Sequence, residues 1–301
     1  MAIFLLFLVQ CAFASLAIVG KVTMAAVPWP ALMLLRSTGA ALVFVATGAL
    51  RGEAILPPAE ARKRMFLLGF LGVFANQGFF LAGLRRTTSI NASVLVATIP
   101  LFTVVFAMLT RREPYRTKVA LGMALAITGL FLVVRPESFS FATEHLTGDL
   151  MVVANSASYG LYLALARDSI LRYGASQVVR WVFLAGALLS LPVGAPSLVA
   201  FAPTVTARVA LATGYILLVP TAFAYAANAY ALGRVPASVV GVFIYLQPVI
   251  ATVLALTVSQ SLARWLGVTV AAETLSARTL VGGLVVLVGV AVATWKGRAK
   301  A

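Results

Sequence analysis

The chain has 301 residues, of which 62% are hydrophobic and 10% are charged, and its mean hydropathy is +1.03. Soluble domains carry about 25% charged and about 45–50% apolar residues, so this composition excludes a water-soluble fold. A net charge of +15 would favour nucleic acid as the partner of a soluble protein. Here the basic residues lie in short clusters between long apolar runs, which excludes nucleic-acid binding and predicts a lipid bilayer as the partner.

The apolar runs are continuous rather than alternating, so they predict helices and exclude a membrane β-barrel. Each run is close to the roughly 20 residues that cross about 30 Å of hydrocarbon. We number them spans 1 to 10, and they cover residues 2–24, 29–50, 65–84, 90–110, 117–134, 149–167, 176–196, 208–231, 237–258 and 278–296. The predicted fold is therefore an all-α membrane protein with ten transmembrane helices.

Span 1 is apolar enough to pass for a signal peptide, and Ala12, Ala14 and Ser15 resemble a cleavage site. It has no basic segment before its apolar part, so we predict that it is retained as a membrane span. The chain has a single cysteine, Cys11, and a single histidine, His145. It therefore cannot form an internal disulfide or a cysteine–histidine metal site, and we predict no metal and no cofactor.

Lys and Arg residues are concentrated in alternate connections between the spans. They cluster at 51–64, 111–118, 167–180 and 296–300, whereas the intervening connections carry fewer of them. Cytoplasmic loops of membrane proteins carry this excess of positive charge. The distribution predicts a bacterial-type inner membrane protein with both termini in the cytoplasm.

The sequence contains an internal repeat. A shift of 148 residues places Leu84, Arg86 and Pro100 on Leu232, Arg234 and Pro248. A shift of 160 residues places Glu113, Gly122 and Gly129 on Glu273, Gly282 and Gly289, so about 12 residues are inserted before Glu273. Five spans per half is an odd number, which predicts two inverted five-helix repeats, residues 1–134 and 149–296, joined by a loop at 135–148.

The ordered motifs resemble those of the drug/metabolite transporter superfamily, in its ten-helix EamA branch. The matching stretches are Trp29 to Arg36, Leu84 to Pro100, and the two Glu-then-Gly patterns beginning at Glu113 and Glu273. The resemblance implies a transporter with its substrate site between the repeats, and a function in the export of amino acids or similar metabolites. The chain departs from the family pattern in the insertion at about 259–272, where Trp265 predicts a short interfacial segment.

Polar and aromatic side chains inside the spans are the candidate binding residues. A buried amide facing lipid would leave its hydrogen-bonding groups unmet, so these side chains are expected to face the interior of the bundle, where they bind substrate or join helices. The predicted substrate-binding residues are Gln10, Arg36, Asn76, Gln77, Tyr159, Trp181, Tyr225, Asn228, Tyr245 and Gln247. The tyrosines indicate a site for an aromatic or amphipathic solute.

Two charged positions leave alternatives open. Arg36 lies well inside span 2, where it either attracts a substrate carboxylate or has a structural role, by snorkelling outward or by bonding helix-end carbonyls. Glu113 and Glu273 lie at the ends of spans 4 and 9, on opposite membrane faces. Glu113 either locks a gate together with Arg111, Arg112 and Arg116 or is simply a solvated helix end.

Pro100 and Pro248 are the predicted hinges. A proline inside a helix removes one backbone hydrogen bond and allows a bend. In an inverted pair, two such bends would let the halves rock between inward-open and outward-open states.

No acidic residue lies in the middle of a span, so the sequence offers no proton relay. We expect facilitated diffusion or exchange, or coupling through a helix-end group such as Asp149 or Glu273. The same scarcity of reactive side chains argues against an enzyme. A small-molecule transporter that acts as a monomer is the first hypothesis, and a channel-like facilitator or a non-transporting interaction protein is the alternative.

Overall fold

The computed structural model describes residues 1–87, 92, 95–114, 116–134, 143–254, 257–258, 260–266 and 277–294. Every regular element in these ranges is helical. Spans 1 to 5 contain Ala2–Thr23, Trp29–Ala49, Ala59–Arg86, Ile99–Leu109 and Thr117–Val134. Spans 6 to 8 are Thr143–Tyr173, Ala175–Phe201 and Ala207–Leu232; span 9 contains Ala237–Val242, Phe243–Tyr245 and Leu246–Leu254, and span 10 is Ala277–Thr294. Glu273 lies outside the described residues.

Five of these helices are each long and apolar enough to cross a membrane: spans 1, 2, 3, 7 and 8. Part of the insertion before span 10 forms a short helix, Gln260–Leu266, whose Trp265 carbonyl accepts a hydrogen bond from Arg208. We call the face that carries residues 51–64, 110–118, 167–180 and 233–236 the basic face. The other face is the opposite face. Alternate helices enter from alternate faces, so the second five spans run inverted to the first five.

Wide turns interrupt spans 3 and 8 at equivalent positions. The segments Phe70–Ala75 and Leu218–Phe223 are both π-helical, and they lie 148 residues apart, the shift seen in the sequence. A π-turn displaces the backbone from its regular bonding pattern and is frequently found at functional sites. Both turns lie in the middle of their spans, so each repeat contributes one irregular backbone segment to the centre of the bundle.

Spans 5 and 10 cross through glycines. Their helices, Thr117–Val134 and Ala277–Thr294, lie 160 residues apart, the second shift seen in the sequence. A Cβ atom added at Gly122 would lie 2.6 Å from the Gly289 carbonyl, and one added at Gly129 would lie 2.6 Å from the Gly282 carbonyl. The same two positions of each repeat therefore meet across a two-fold-like contact, where only glycine lets the backbones approach.

Spans 4 and 9 are broken rather than kinked, which corrects the prediction of prolines inside continuous helices. Pro100 is the second residue of Ile99–Leu109, after a turn that ends at Thr98. Pro248 is the third residue of Leu246–Leu254, directly after the 3₁₀ turn Phe243–Tyr245. The first turn of a helix has N–H groups without helical partners, so proline, which has no N–H, is accommodated there. The predicted hinge function of the prolines stays a prediction.

The two repeats interlock around a central region. Spans 3 and 4 of the first repeat pack against span 6 of the second, and spans 8 and 9 of the second pack against span 1 of the first. Spans 2 and 7 pack along each other on one side. The polar segments of spans 3 and 8 consequently face each other between the repeats.

Candidate functional site

The π-turn of span 3 exposes backbone carbonyls to side chains of the second repeat. The Leu71 carbonyl accepts a hydrogen bond from the Ser158 hydroxyl at 2.8 Å, and the Gly72 carbonyl accepts one from the Tyr225 hydroxyl at 3.1 Å. One turn further on, the Asn155 amide donates to the Asn76 carbonyl at 2.8 Å. The carbonyls of the irregular segment thus accept additional hydrogen bonds from spans 6 and 8.

Tyr225 is the centre of a polar and aromatic group that we call the central cluster, composed of Asn76, Gln77, Tyr159, Tyr225 and Asn228. The Tyr225 hydroxyl also donates to the Asn76 side-chain oxygen at 2.9 Å. The Tyr159 ring stands at 6.2 Å from the Tyr225 ring, and the Tyr159 hydroxyl accepts from the Asn228 amide at 3.1 Å. Five of the residues singled out from the sequence are therefore brought together, on spans 3, 6 and 8.

Two phenylalanines complete the aromatic wall. The Phe183 and Phe13 rings stand edge-on to Tyr225, with ring centroids 4.9 Å and 5.7 Å away. The sequence analysis did not select them, because a phenylalanine inside a span has the same local signature whether it faces lipid or the interior. Their positions add spans 1 and 7 to the walls of the site.

Arg36 lies beside the central cluster and is only 2% exposed. Its Nε atom donates to the Thr221 hydroxyl at 3.0 Å, and Thr221 in turn donates to the Ile216 carbonyl at 2.8 Å, within the disturbed turn of span 8. Arg36 therefore does not snorkel, and that interpretation is wrong. Thr221 was missed by the sequence analysis; its one signal is that it is a polar residue following Pro220 in the middle of an apolar span.

Spans 1 and 9 are joined by a pair of amides. The Gln247 side chain donates to the Gln10 side-chain oxygen at 2.7 Å, and Gln10 is buried. Tyr245, two residues earlier, is fully buried, and its hydroxyl has no hydrogen-bond partner among the described residues. The Gln77 amide is also buried, with neither its oxygen nor its nitrogen bonded within the described part of the chain. Buried polar groups of this kind call for a specific explanation, such as a bound solute or water.

Trp181 lies apart from the central cluster. It is buried near the basic face, where its ring stands edge-on to Tyr173 at 5.6 Å. Tyr173 is the last residue of span 6, so this contact joins the ends of spans 6 and 7. The structure therefore unites five of the ten predicted binding residues in the central cluster, with Arg36 beside it; Gln10 and Gln247 form a separate pair, Tyr245 is buried on span 9, and Trp181 is buried against Tyr173.

A groove of about 390 Å³ lies on the opposite face between spans 1, 8 and 9 and the short helix Gln260–Leu266. Its lining is almost entirely apolar, with Ile18, Leu211, Val258 and Trp265 among the contributing side chains. At its polar end the Tyr215 hydroxyl donates to the Ser15 hydroxyl at 2.8 Å. Tyr215, which lines the groove, directly precedes the buried Ile216, whose carbonyl accepts from Thr221.

The basic face is closed by Glu113. Its carboxylate accepts hydrogen bonds from the backbone N–H groups of Ala237 and Ser238 and from the Ser238 hydroxyl. These N–H groups begin the first helix of span 9, where a negative charge is favourable. Glu113 thus ties the end of span 4 to the start of span 9, a contact that we call the Glu113 cap. The carboxylate is therefore not simply a solvated helix end, and its hydrogen-bond partners in the described part of the chain are on span 9 and not the neighbouring arginines; the predicted gate function stays a prediction.

Further polar contacts tie the helix ends at the basic face. Asp168 of span 6 pairs with Arg112 at the end of span 4 and with Arg64 of span 3. Glu53, after span 2, pairs with the fully buried Arg180 of span 7 at 2.6 Å. The hydrogen bond from the Arg180 guanidinium lowers the pKa of the Glu53 carboxyl. Desolvation of the carboxyl acts in the opposite direction and reduces this shift. The cavity next to Glu113 measures only about 20 Å³.

Known proteins resemble this chain along its length. The model of the EamA-like transporter family matches residues 1–135 and 146–295. An uncharacterized transporter of Archaeoglobus fulgidus is 25% identical over 66% of this chain and 68% of its own. The uncharacterized inner membrane transporter YedA of Escherichia coli is 27% identical over 75% of this chain and 73% of its own.

A named exporter and a solved structure are also similar to this chain. A protein of Streptantibioticus cattleyicolor named "probable terminal-alkyne amino-acid exporter" is 26% identical over 78% of this chain and 73% of its own. A solved crystal structure superposes with a TM-score of 0.77 over 97% of this chain and 96% of its own at 24% identity, which shows a common fold. With its ten membrane helices in two inverted repeats, the chain belongs to the EamA-like transporter family of the drug/metabolite transporter superfamily and is a membrane transporter.

Proposed function

We propose that this protein is a secondary transporter that moves amino acids or related amphipathic metabolites across the inner membrane by alternating access. The observation that carries the proposal is the position of the central cluster. It lies between the repeats, on spans 3, 6 and 8, in a bundle that has a groove on the opposite face and the Glu113 cap on the basic face. A carrier needs such a site, reached from one side while the other is closed.

The amino-acid class is supported by the chemistry of the cluster. Neutral amides at Asn76 and Asn228, hydroxyls at Tyr159 and Tyr225 and the aromatic edges of Phe13 and Phe183 suit a solute that is polar at one end and apolar at the other. The name of the exporter from Streptantibioticus cattleyicolor agrees with this class.

Orientation and assembly are part of the proposal. The basic face is taken as cytoplasmic because cytoplasmic connections carry the excess of Lys and Arg. The groove then opens to the outside, and both termini lie in the cytoplasm. The path runs between the repeats of one chain, so one copy is sufficient for transport and the working unit is a monomer.

We further propose that transport is exchange or facilitated diffusion without proton coupling. The central cluster is built from amides and hydroxyls, with Arg36 beside it. Among the carboxylates, Glu113 and Asp168 form contacts at the basic face, and Asp149 accepts a hydrogen bond from Thr87 after the end of span 3. None of the cluster's members would change its protonation state in the physiological range.

Counterflow in proteoliposomes tests the transport function. Vesicles loaded with unlabelled L-phenylalanine should accumulate labelled L-phenylalanine transiently and saturably, and collapse of a pH gradient should leave the rate unchanged. Empty vesicles of the same lipid are the control. Linear, uncompeted flux would instead establish the channel-like facilitator, and the absence of flux for every amino acid tested would refute the proposed substrate class.

Cysteine accessibility tests alternating access. With Cys11→Ser as background, Ala212→Cys places a thiol in the groove and Val104→Cys places one beside the Glu113 cap. An impermeant maleimide should label the first from the opposite face, whereas the second should be protected until substrate exchange begins. Equal labelling of both positions in the absence of substrate would contradict a site that opens to one face at a time.

A further inference from the structure

We propose that Arg36 binds the carboxylate of the transported solute, while the apolar part of that solute occupies the groove on the opposite face. The inference rests on the proposed transport function and names the chemical class that the site accepts: a small acid with a carboxylate and an apolar side chain.

The hydrogen bonding of Arg36 leaves most of its donors available. A guanidinium has five N–H donors and remains charged at any pH the protein meets. Arg36 is 2% exposed, and among the described residues its side chain makes one hydrogen bond, from Nε to Thr221. No carboxylate in the described part of the chain forms an ion pair with it. A buried charge without a counter-ion is costly, and a carboxylate bound to the guanidinium by two parallel hydrogen bonds would remove that cost.

Arg180 shows what the same fold does with a structural arginine. It is fully buried, as Arg36 nearly is, and its Nη2 atom lies 2.6 Å from the Glu53 carboxylate, although its Nε and Nη1 atoms have no hydrogen-bond partner among the described residues. One buried arginine therefore has its anion built into the chain, and the other does not. This difference points to an anion that Arg36 receives from outside the protein.

Gln77 is a second polar group at this place. It is 1% exposed, its amide lies close enough to the Tyr225 hydroxyl to interact with it, and neither amide atom forms a hydrogen bond of regular geometry within the described residues. Both Gln77 and Arg36 lie next to the Tyr225 side chain, on different spans. An amide that can donate and accept, beside a guanidinium that can only donate, fits the two ends of an α-amino acid: its ammonium and its carboxylate.

The groove and the Arg36 contact share span 8. Tyr215, which lines the groove, donates to Ser15; the next residue, Ile216, accepts from Thr221, and Thr221 accepts from Arg36. In this proposal the Tyr215–Ser15 hydrogen bond opens and the carboxylate of the solute passes from the groove to the guanidinium. Its apolar part then remains against Leu211, Leu254 and Trp265. The apolar lining disfavours a second charged group on the side chain of the solute.

Thermal unfolding of the purified full chain with matched probes tests this site. The probes are L-phenylalanine, 3-phenylpropionate, which lacks the ammonium, and L-phenylalaninamide, which lacks the carboxylate. We expect both acids to raise the unfolding temperature of the wild type at concentrations at least tenfold below those needed for the amide. Arg36→Gln should reduce this preference for acids to nearly none, and Arg36→Lys should retain part of it.

Arg180→Gln is the matched control, since it also removes a buried arginine charge. It should lower the unfolding temperature, because Glu53 loses its partner, and leave the preference for acids unchanged. If Arg36→Gln does not fold, Arg36→Lys keeps the test available: it retains the charge but cannot donate two parallel hydrogen bonds, so its preference for acids should be smaller than that of the wild type, and an unchanged preference would overturn the carboxylate site.

The outcomes separate this inference from the proposed function. Counterflow of L-phenylalanine reports on transport, whereas the ratio of acid to amide reports on Arg36. Transport with equal recognition of acid and amide, or an unchanged ratio in Arg36→Gln, would overturn the carboxylate site and leave the transporter in place. Loss of the preference in Arg180→Gln as well would show that buried arginines act through general stability, which would also overturn the assignment.

Discussion

The basic face and the opposite face of the bundle are held together by different chemistry. At the basic face, carboxylates join helix ends that belong to different spans, through the Glu113 cap and the pairs of Asp168 and Glu53. At the opposite face, a largely apolar groove of about 390 Å³ separates spans 1, 8 and 9, and a hydrogen bond between two neutral hydroxyls marks its inner end.

This difference indicates how the two faces open. Charge-assisted bonds are stronger than neutral ones, so the basic face is the more firmly closed in this conformation. A single neutral hydrogen bond contributes about 1 kcal/mol net, which is small enough to break in every transport cycle. The two faces are therefore held by contacts of unequal strength, which is what the proposed alternating access requires.

The largest effect is expected from Glu113→Gln. The substitution removes the negative charge at the start of span 9, and hydrogen bonds to charged groups contribute about 1.5–3 kcal/mol. We expect a lower unfolding temperature in detergent, and labelling of Val104→Cys from the basic face without substrate.

Glu60→Gln is the control for that variant, because Glu60 is an exposed carboxylate near the same face. It should leave both measurements unchanged. Continued protection of Val104→Cys in Glu113→Gln would show that helix packing alone seals the basic face.

Arg111→Gly should strengthen the basic face. Arg111 has a φ of 52°, and its neighbours close the end of span 4 through the bonds Arg111 N–H to Met108 and Arg112 N–H to Ala107. A left-handed conformation costs a non-glycine residue about 1–2 kcal/mol, so glycine should raise the free energy of unfolding by about 1 kcal/mol. Gly52→Ala, at a φ of 67°, should change the stability in the opposite direction. Denaturant unfolding measures the free energy of unfolding of both variants. A loss of stability in Arg111→Gly would contradict the inference that the backbone is strained at Arg111.

Tyr215→Phe should loosen the opposite face. The variant keeps the ring and removes the hydrogen bond to Ser15, worth about 1 kcal/mol or about fivefold in a rate limited by that opening. We expect counterflow to become faster, with little change in unfolding temperature. Tyr173→Phe, on the basic face, is the matched control and should leave the rate unchanged. A slower rate in Tyr215→Phe would mean that the hydroxyl assists passage instead of obstructing it.

The smallest effect concerns pH and Glu53. Its pKa in the folded protein lies below the unfolded value of about 4.3, so its ion pair stabilises the protein above that pH. The contribution should be lost progressively as the pH falls from about 5 through the lowered folded pKa. Glu53→Gln should flatten this part of the curve of unfolding temperature against pH, whereas Glu60→Gln should keep it. A curve for Glu53→Gln that matches the wild type would show that the pair adds no stability.

The candidate site was only partly predictable from the sequence. Asn76, Tyr159, Tyr225 and Asn228 could be selected because an uncompensated amide or hydroxyl in a span has to face the interior. Phe13 and Phe183 could not be selected in this way, because an apolar side chain is as stable against lipid as it is in the interior of the bundle. Thr221 and Ser158 could not either, because serine and threonine inside helices most often bond to their own backbone. The ion pair of Glu53 with Arg180 joins residues 127 positions apart, which no local pattern reports.

The sequence by itself determined that the chain lies in a lipid bilayer, how many spans it has and that the spans form an internal repeat. Hydropathy over about 20 residues is a local property, and the two shifts of 148 and 160 residues follow from motifs that survive in both halves. Only the tertiary structure decided where the spans break, which helices interlock and which contacts hold each face. Those outcomes depend on which backbone carbonyls accept hydrogen bonds from distant helices. Leu71 and Gly72 accept from side chains 87 and 153 residues away, so these bonds of the π-turn in span 3 form only once both repeats have come together.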